Sequence, residues 1–126
     1  MHKNQLPTLS NIFFLLPAYY ALHTHVYWYA ILVLSACIVS TVHHIVGKNK
    51  LLPLDKFFAF TLVLVNFYLL FAGGLLPLHT TIFALLTATI ATTLFVLQRR
   101  NYWLMHSLYH FLSAIVCLLC LYVYLY

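Results

Sequence analysis

The chain has 126 residues, of which 65% are hydrophobic and 6% charged, and a formal net charge of +5. A soluble domain carries roughly 25% charged residues, so this inventory could not cover a water-facing surface, and composition excludes a soluble globular protein in favour of an integral membrane one. The six basic residues against one acid, Asp55, would suit a nucleic acid, but they sit in short loops and so report membrane topology instead.

Residues 1–8 are a short polar start with Lys3 and Pro7. The first apolar run, from about Leu9 to Leu22, contains Pro17 and is short beside the about 20 residues that a span needs. It has the length of a secretory signal core, but Ala21-Leu-His-Thr-His25 is not a small-x-small cleavage site. Membrane helices tolerate proline, and the run reads as a kinked first helix over about 9–22. His23-Thr-His25 makes a brief turn. The second run, Val26 to Val46, holds no proline or glycine and predicts a clean span. Gly47-Lys-Asn-Lys50 and Pro53 end it, which is ordinary helix-stop chemistry. The third helix is expected over 55–72, stopping at Gly73-Gly74. The fourth, 78–97, is rich in threonine and stops at Gln98-Arg-Arg-Asn101, and the fifth covers 102–126. No repeat, low-complexity tract or linker divides the chain, so residues 1–126 read as one domain. Cys37, Cys117 and Cys120 lie inside apolar runs and behave as small apolar residues, without a disulfide.

The fold class is therefore all-α, a polytopic transmembrane bundle of about five spans. The basic residues test that count. Lys3 precedes helix 1, Lys48, Lys50 and Lys56 lie between helices 2 and 3, and Arg99 and Arg100 lie between helices 4 and 5. Five crossings put all six on one side; loss of the first crossing would strand Lys3 on the other. The positive-inside rule then predicts a cytoplasmic N-terminus and an extracytoplasmic C-terminus.

Ionisable groups within spans are costly and are functional candidates by default. On this topology His43 and His44 end helix 2, Asp55 starts helix 3, and His106 and His110 lie one to two turns into helix 5, all in the cytoplasmic leaflet. His23, His25 and His79 map to the opposite side. His106 and His110 are four residues apart and so stack on one helix face, about 6 Å apart along the axis. Ser40 and His44 share a face in the same way. A three-histidine set with one open position is a common catalytic zinc arrangement. His44, His106 and His110 would fill it, with Asp55 orienting or deprotonating the bound water and Ser40 donating to a developing oxyanion.

Taken singly, each residue also has a plainer reading. The histidine pair would serve as interhelical hydrogen-bonding residues, Ser40 would bond back to its own helix, and Asp55 would be an N-cap. His43 lies about 100° around the helix from His44 and suits an interfacial or packing role. Cys117-x-x-Cys120 suits packing. Tyr102, Trp103 and Tyr109 suit interface anchoring.

Ser40-x-x-x-His44, then Asp55, then His106-x-x-x-His110 resembles the CREST superfamily of membrane hydrolases. That group includes alkaline ceramidases, the progestin and adipoQ receptors with hemolysin-III-like proteins, and GPI-remodelling lipases. His106-Ser-Leu-Tyr-His-Phe-Leu-Ser-Ala114 is similar to the family's final-helix signature, and Leu9-Ser-Asn-Ile-Phe-Phe14 to the start of the ceramidase first helix. The resemblance implies a zinc ion on His44, His106 and His110, with Ser40 and Asp55 as catalytic residues beside it and no other cofactor. It also implies hydrolysis of an amide or ester in a membrane lipid. Members of the family usually have seven spans, so five implies a truncated version of the fold: a minimal member, a homo-oligomer that completes the wall, or a protein that has lost turnover. The alternatives to a hydrolase are a receptor-like or structural zinc protein of the same superfamily and a bis-histidine haem protein using His44 with His106 or His110.

Overall fold

The structure, a computed structural model, describes residues 5–47 and 49–126; Lys3 and Lys48, which enter the charge argument above, lie outside them. Among the described residues every regular element is helical: α1 Gln5–Ser10, a 3₁₀ turn Asn11–Phe14, α2 Leu15–His23, α3 Tyr27–Val46, a second 3₁₀ turn Asn49–Leu51, α4 Leu52–Ala72, α5 Leu78–Leu97 and α6 Tyr102–Leu125. Four of the helices, α3, α4 with the turn before it, α5 and α6, are long and apolar enough to cross a membrane.

The first segment starts at Gln5, earlier than the apolar run suggested, and is built in three pieces for a reason that its prolines supply. Pro7 and Pro17 each fall in the first turn of an α-helical piece, where a missing N–H costs little. Between them the chain tightens into the 3₁₀ turn, which avoids the clash that Pro17 would make with the carbonyl of Phe13 in a continuous α-helix. The 19 residues together run about 30 Å, close to the apolar thickness of a bilayer.

α4 corrects an expectation as well. Pro53 is not a separator before the helix but sits in its first turn, so α4 begins at Leu52 and Asp55 is already inside it. The cap position is Leu51, with no side-chain cap bond, which removes the N-cap reading of Asp55 and leaves its carboxylate for other partners. At the end of α3, Gly47 takes the left-handed conformation (φ 62°) and its N–H bonds the carbonyl of His43 at 3.0 Å, closing the helix one turn past the histidines.

Helices α2, α3, α4 and α6 form a ring in which each packs on the next, α6 returning to α2, while α1 bridges α3 and α6. α3 and α6 therefore lie on a diagonal and meet through side chains in the interior. α5 stands outside the ring and packs on α6 alone among the principal helix pairs. It does so with a stripe of small residues, Thr80, Thr81, Ala84, Thr87 and Ala91, at helical spacing. Its outward threonines, Thr89, Thr92 and Thr93, return their hydroxyl protons to carbonyls four residues back, at 2.8 to 2.9 Å, and so tolerate an apolar surrounding.

Successive helices run up and down. One end of the bundle gathers the start of α1, the end of α3, the start of α4 and the α5–α6 turn; the other gathers His23, His25, Gly73 and His79. Lys50, Lys56, Arg99 and Arg100 all fall at the first end. Outward faces are apolar throughout, with Ile31, Ile38 and Ile45 along α3 and Phe57, Phe60, Phe67 and Phe71 along α4 exposed. In water such a surface would aggregate; in lipid it is the expected exterior.

Lower in the ring a polar cluster ties three helices together. The hydroxyl of fully buried Tyr29 in α3 donates to Asn66 Oδ1 in α4 at 2.6 Å, and Asn66 Nδ2 donates to Cys117 Sγ in α6 at 3.5 Å. Cys117 thus packs and also accepts; with Cys37 and Cys120 it is a free, buried thiol.

Candidate metal centre

His44, in the last turn of α3, faces His106 and His110, in the second and third turns of α6, across the diagonal of the ring. All three are buried, with 7%, 7% and 5% of their surface exposed. One ring nitrogen from each lies within 4.8 Å of the others, so the three can hold a metal ion. His106 Nε2 stands 3.1 Å from His44 Nε2. The ring centroids are 4.9 Å (His44–His106), 5.5 Å (His44–His110) and 4.4 Å (His106–His110) apart.

Zinc–nitrogen bonds of about 2.0–2.1 Å at tetrahedral angles require nitrogens about 3.3 Å apart. One pair already has that separation, and the widest exceeds it by an amount that small side-chain rotations supply. Three imidazoles without a thiolate or carboxylate among them suit a borderline ion such as zinc better than calcium or magnesium, which take oxygen ligands.

Both Nδ1 atoms of the α6 pair have partners that the sequence did not suggest. His110 Nδ1 contacts Ser10 Oγ at 2.9 Å, across 100 residues of chain. His106 Nδ1 contacts Gln98 Oε1 at 2.7 Å, across the α5–α6 turn. No local periodicity could pair Ser10 with His110. Gln98 was legible in principle, because a long side chain at the end of one helix of a hairpin reaches the first turns of the next. Tyr102 stacks on the His106 ring, centroids 4.8 Å apart and planes 17° from parallel, and Phe14 packs edge-on to His110 at 6.1 Å. The anchoring tyrosine of the sequence reading is thus also a wall of the site.

Ser40 and Asp55 come together beside the histidines rather than among their nitrogens. Ser40 lies near enough to the Asp55 carboxylate to act on it, and the charge of Asp55 also acts on His43, Tyr102 and Tyr109. Tyr102 and Tyr109 both pack on His106, and Tyr109 on His110 as well. His43, next to Asp55, has its ring 5.3 Å from that of His44, and its Nδ1 has no hydrogen-bond partner among the described residues. A cleft of about 450 Å³, lined by Gln5, Thr8, Leu9, His44 and Ile45, opens between α1 and the end of α3 and reaches the His44 side chain. His23, His25 and His79 are exposed and take no part in the site.

Compared with protein-family models, with curated proteins and with solved structures, the chain matches none.

Proposed function

We propose that the protein is a zinc-dependent integral-membrane hydrolase that cleaves an amide or ester bond in a membrane lipid, a minimal five-span relative of the CREST hydrolases. The observation that carries the reading is the convergence of His44, His106 and His110, buried and from diagonal helices, to within 4.8 Å. Burying three imidazoles against one another inside an apolar bundle is costly, and a shared ion is what offsets that cost.

A zinc ion held there would polarise the lipid carbonyl and make water a better nucleophile near neutral pH. The protein's own residues supply the rest. Asp55 takes the proton that water loses on attack and returns it to the leaving nitrogen or oxygen, so that a fatty acid and an amine or alcohol result. Ser40, one turn from His44 and near Asp55, orients the carboxylate; turned toward the carbonyl, the same hydroxyl donates to the oxyanion. The cleft at His44 admits the scissile bond from the lipid side, with Leu9 and Ile45 as apolar walls. With the four basic residues of this end turned to the cytoplasm, the site works in the cytoplasmic leaflet.

The 3.1 Å contact between His44 and His106 disfavours a haem held by that pair, because a porphyrin needs its two axial nitrogens about 4 Å apart on opposite faces of a plane. Lipid analysis of cells expressing the protein or its His110→Ala variant tests the hydrolase. Free fatty acid should rise and one amide- or ester-linked lipid should fall with the wild type only; identical profiles would overturn the activity.

A further inference from the structure

The hydrogen bonds around the α6 histidines fix which nitrogen each can offer. Ser10 Oγ has one proton, and it goes to the carbonyl of Pro7 at 2.7 Å. Toward His110 Nδ1, at 2.9 Å, the hydroxyl can then only accept, so that Nδ1 carries the proton and Nε2 is bare. Gln98 Oε1 has no proton to give, so His106 Nδ1, at 2.7 Å, must donate as well and its Nε2 is also bare. In the 3.1 Å contact between the Nε2 atoms of His106 and His44, the proton therefore belongs to His44. Moving that proton to Nδ1 of His44 leaves the Nε2 atoms of all three histidines bare, and one ring nitrogen from each lies within 4.8 Å of the others.

We propose that Ser10 and Gln98 are positioning residues of the metal site, each holding the Nδ1 proton of one histidine so that His110 and His106 both bind through Nε2. The inference rests on the metal reading above and adds what that reading lacks, a cause for the orientation of the rings. Metal-bound histidines usually donate their second N–H to such a partner, and loss of that partner costs about 10–100-fold in affinity. The two anchors come from different helices. Ser10 is the last residue of α1, at the point where the chain tightens into the 3₁₀ turn, so the proline-built break in the first segment aims its hydroxyl at α6. Gln98 is the C-cap of α5, the helix that stands outside the ring. α5 thereby gains a part in the site although it supplies no ligand: it holds the carbonyl that orients His106.

Competitive titration with Co²⁺ and then Zn²⁺ of the full-length protein in detergent micelles tests this, together with ring-nitrogen NMR of ¹⁵N-histidine-labelled samples. Ser10→Ala and Gln98→Leu should each weaken binding by about 10–100-fold while saturating at the wild-type stoichiometry. Gln98→Glu, which keeps an acceptor oxygen, should bind at least as tightly as wild type. The nitrogen spectra should show Nε2 ligation by both α6 histidines in wild type and in Gln98→Glu, and a mixture with Nδ1 in Gln98→Leu. Should Ser10→Ala fail to fold, the Gln98 pair decides, since Gln98 is only half-buried at a helix end. Variants that bind within threefold of wild type with unchanged nitrogen spectra would overturn the positioning role and leave the metal site standing. A wild type that binds neither ion would overturn the metal reading, and this inference with it.

Discussion

Tyr29→Phe removes one oxygen from the interior of the ring, and the structure sets what that should cost. The Tyr29 hydroxyl is fully buried, donates to Asn66 Oδ1 at 2.6 Å and has the carbonyl of Cys117 as a distant second acceptor at 3.4 Å. Hydrogen bonds between membrane helices average about 0.6 kcal/mol and reach about 1.7 kcal/mol. A buried acceptor stranded without a partner costs about 1–3 kcal/mol. Asn66 is 8% exposed and its bond to Tyr29 is short. The stranded-acceptor figure should therefore govern, and about 1.5 kcal/mol is expected. Asn66→Leu removes the stranded group, so the double variant should recover about 1 kcal/mol relative to the sum of the single losses. Unfolding by SDS in mixed micelles, followed by helical circular dichroism, measures all four proteins. Cys117 lies two turns beyond His110 and Tyr29 about four turns before His44, so the cluster and the metal site should be energetically separate, and zinc binding by Tyr29→Phe should equal that of wild type. A coupling below about 0.3 kcal/mol would refute the idea that this cluster ties α3, α4 and α6 together.

Gly73→Ala should destabilise by about 1–3 kcal/mol in the same unfolding assay. Its new Cβ would strike the carbonyl oxygen of Val123 and come within 2.7 Å of Val123 C and 2.9 Å of Tyr124 Cα, all of them backbone atoms that yield only if α6 moves. Asp55→Asn should keep zinc content and helicity while abolishing release of fatty acid. Wild-type protein that binds zinc and releases none would favour the receptor-like alternative. Acidification from about pH 8 to about pH 3 should release zinc, because ligation needs neutral imidazoles and protons compete for the same lone pairs. Zinc retained after dialysis across that range measures it, and the sign is fixed: affinity falls as pH falls.

The long helices were legible because uninterrupted apolar runs meet polar breaks. α3, α5 and α6 begin and end within about one residue of the expected positions for that reason. Proline misled at both other places. Pro53 looks like a stop when read alone, but it is compatible with the first turn of a helix, and α4 starts before it. Pro7 and Pro17 hid how early the first segment begins, since its opening turn is polar and its middle is 3₁₀. The three ligand candidates were legible from spacing and from their placement at one end of the bundle. Their hydrogen-bonding partners were not, because Ser10 is brought to His110 only by the packing of α1 on α6. The sequence put Ser40 and Asp55 beside the same ion, but not that Asp55 lies inside the first turn of α4 rather than at its cap.

The central claim is that His44, His106 and His110 share one metal ion. Elemental analysis of the protein purified without chelator tests it most directly. One zinc per chain, lost in His106→Ala and in His110→Ala, is the expected result. Protein with no bound metal, and with the same thermal stability in the presence and absence of added zinc, would contradict it.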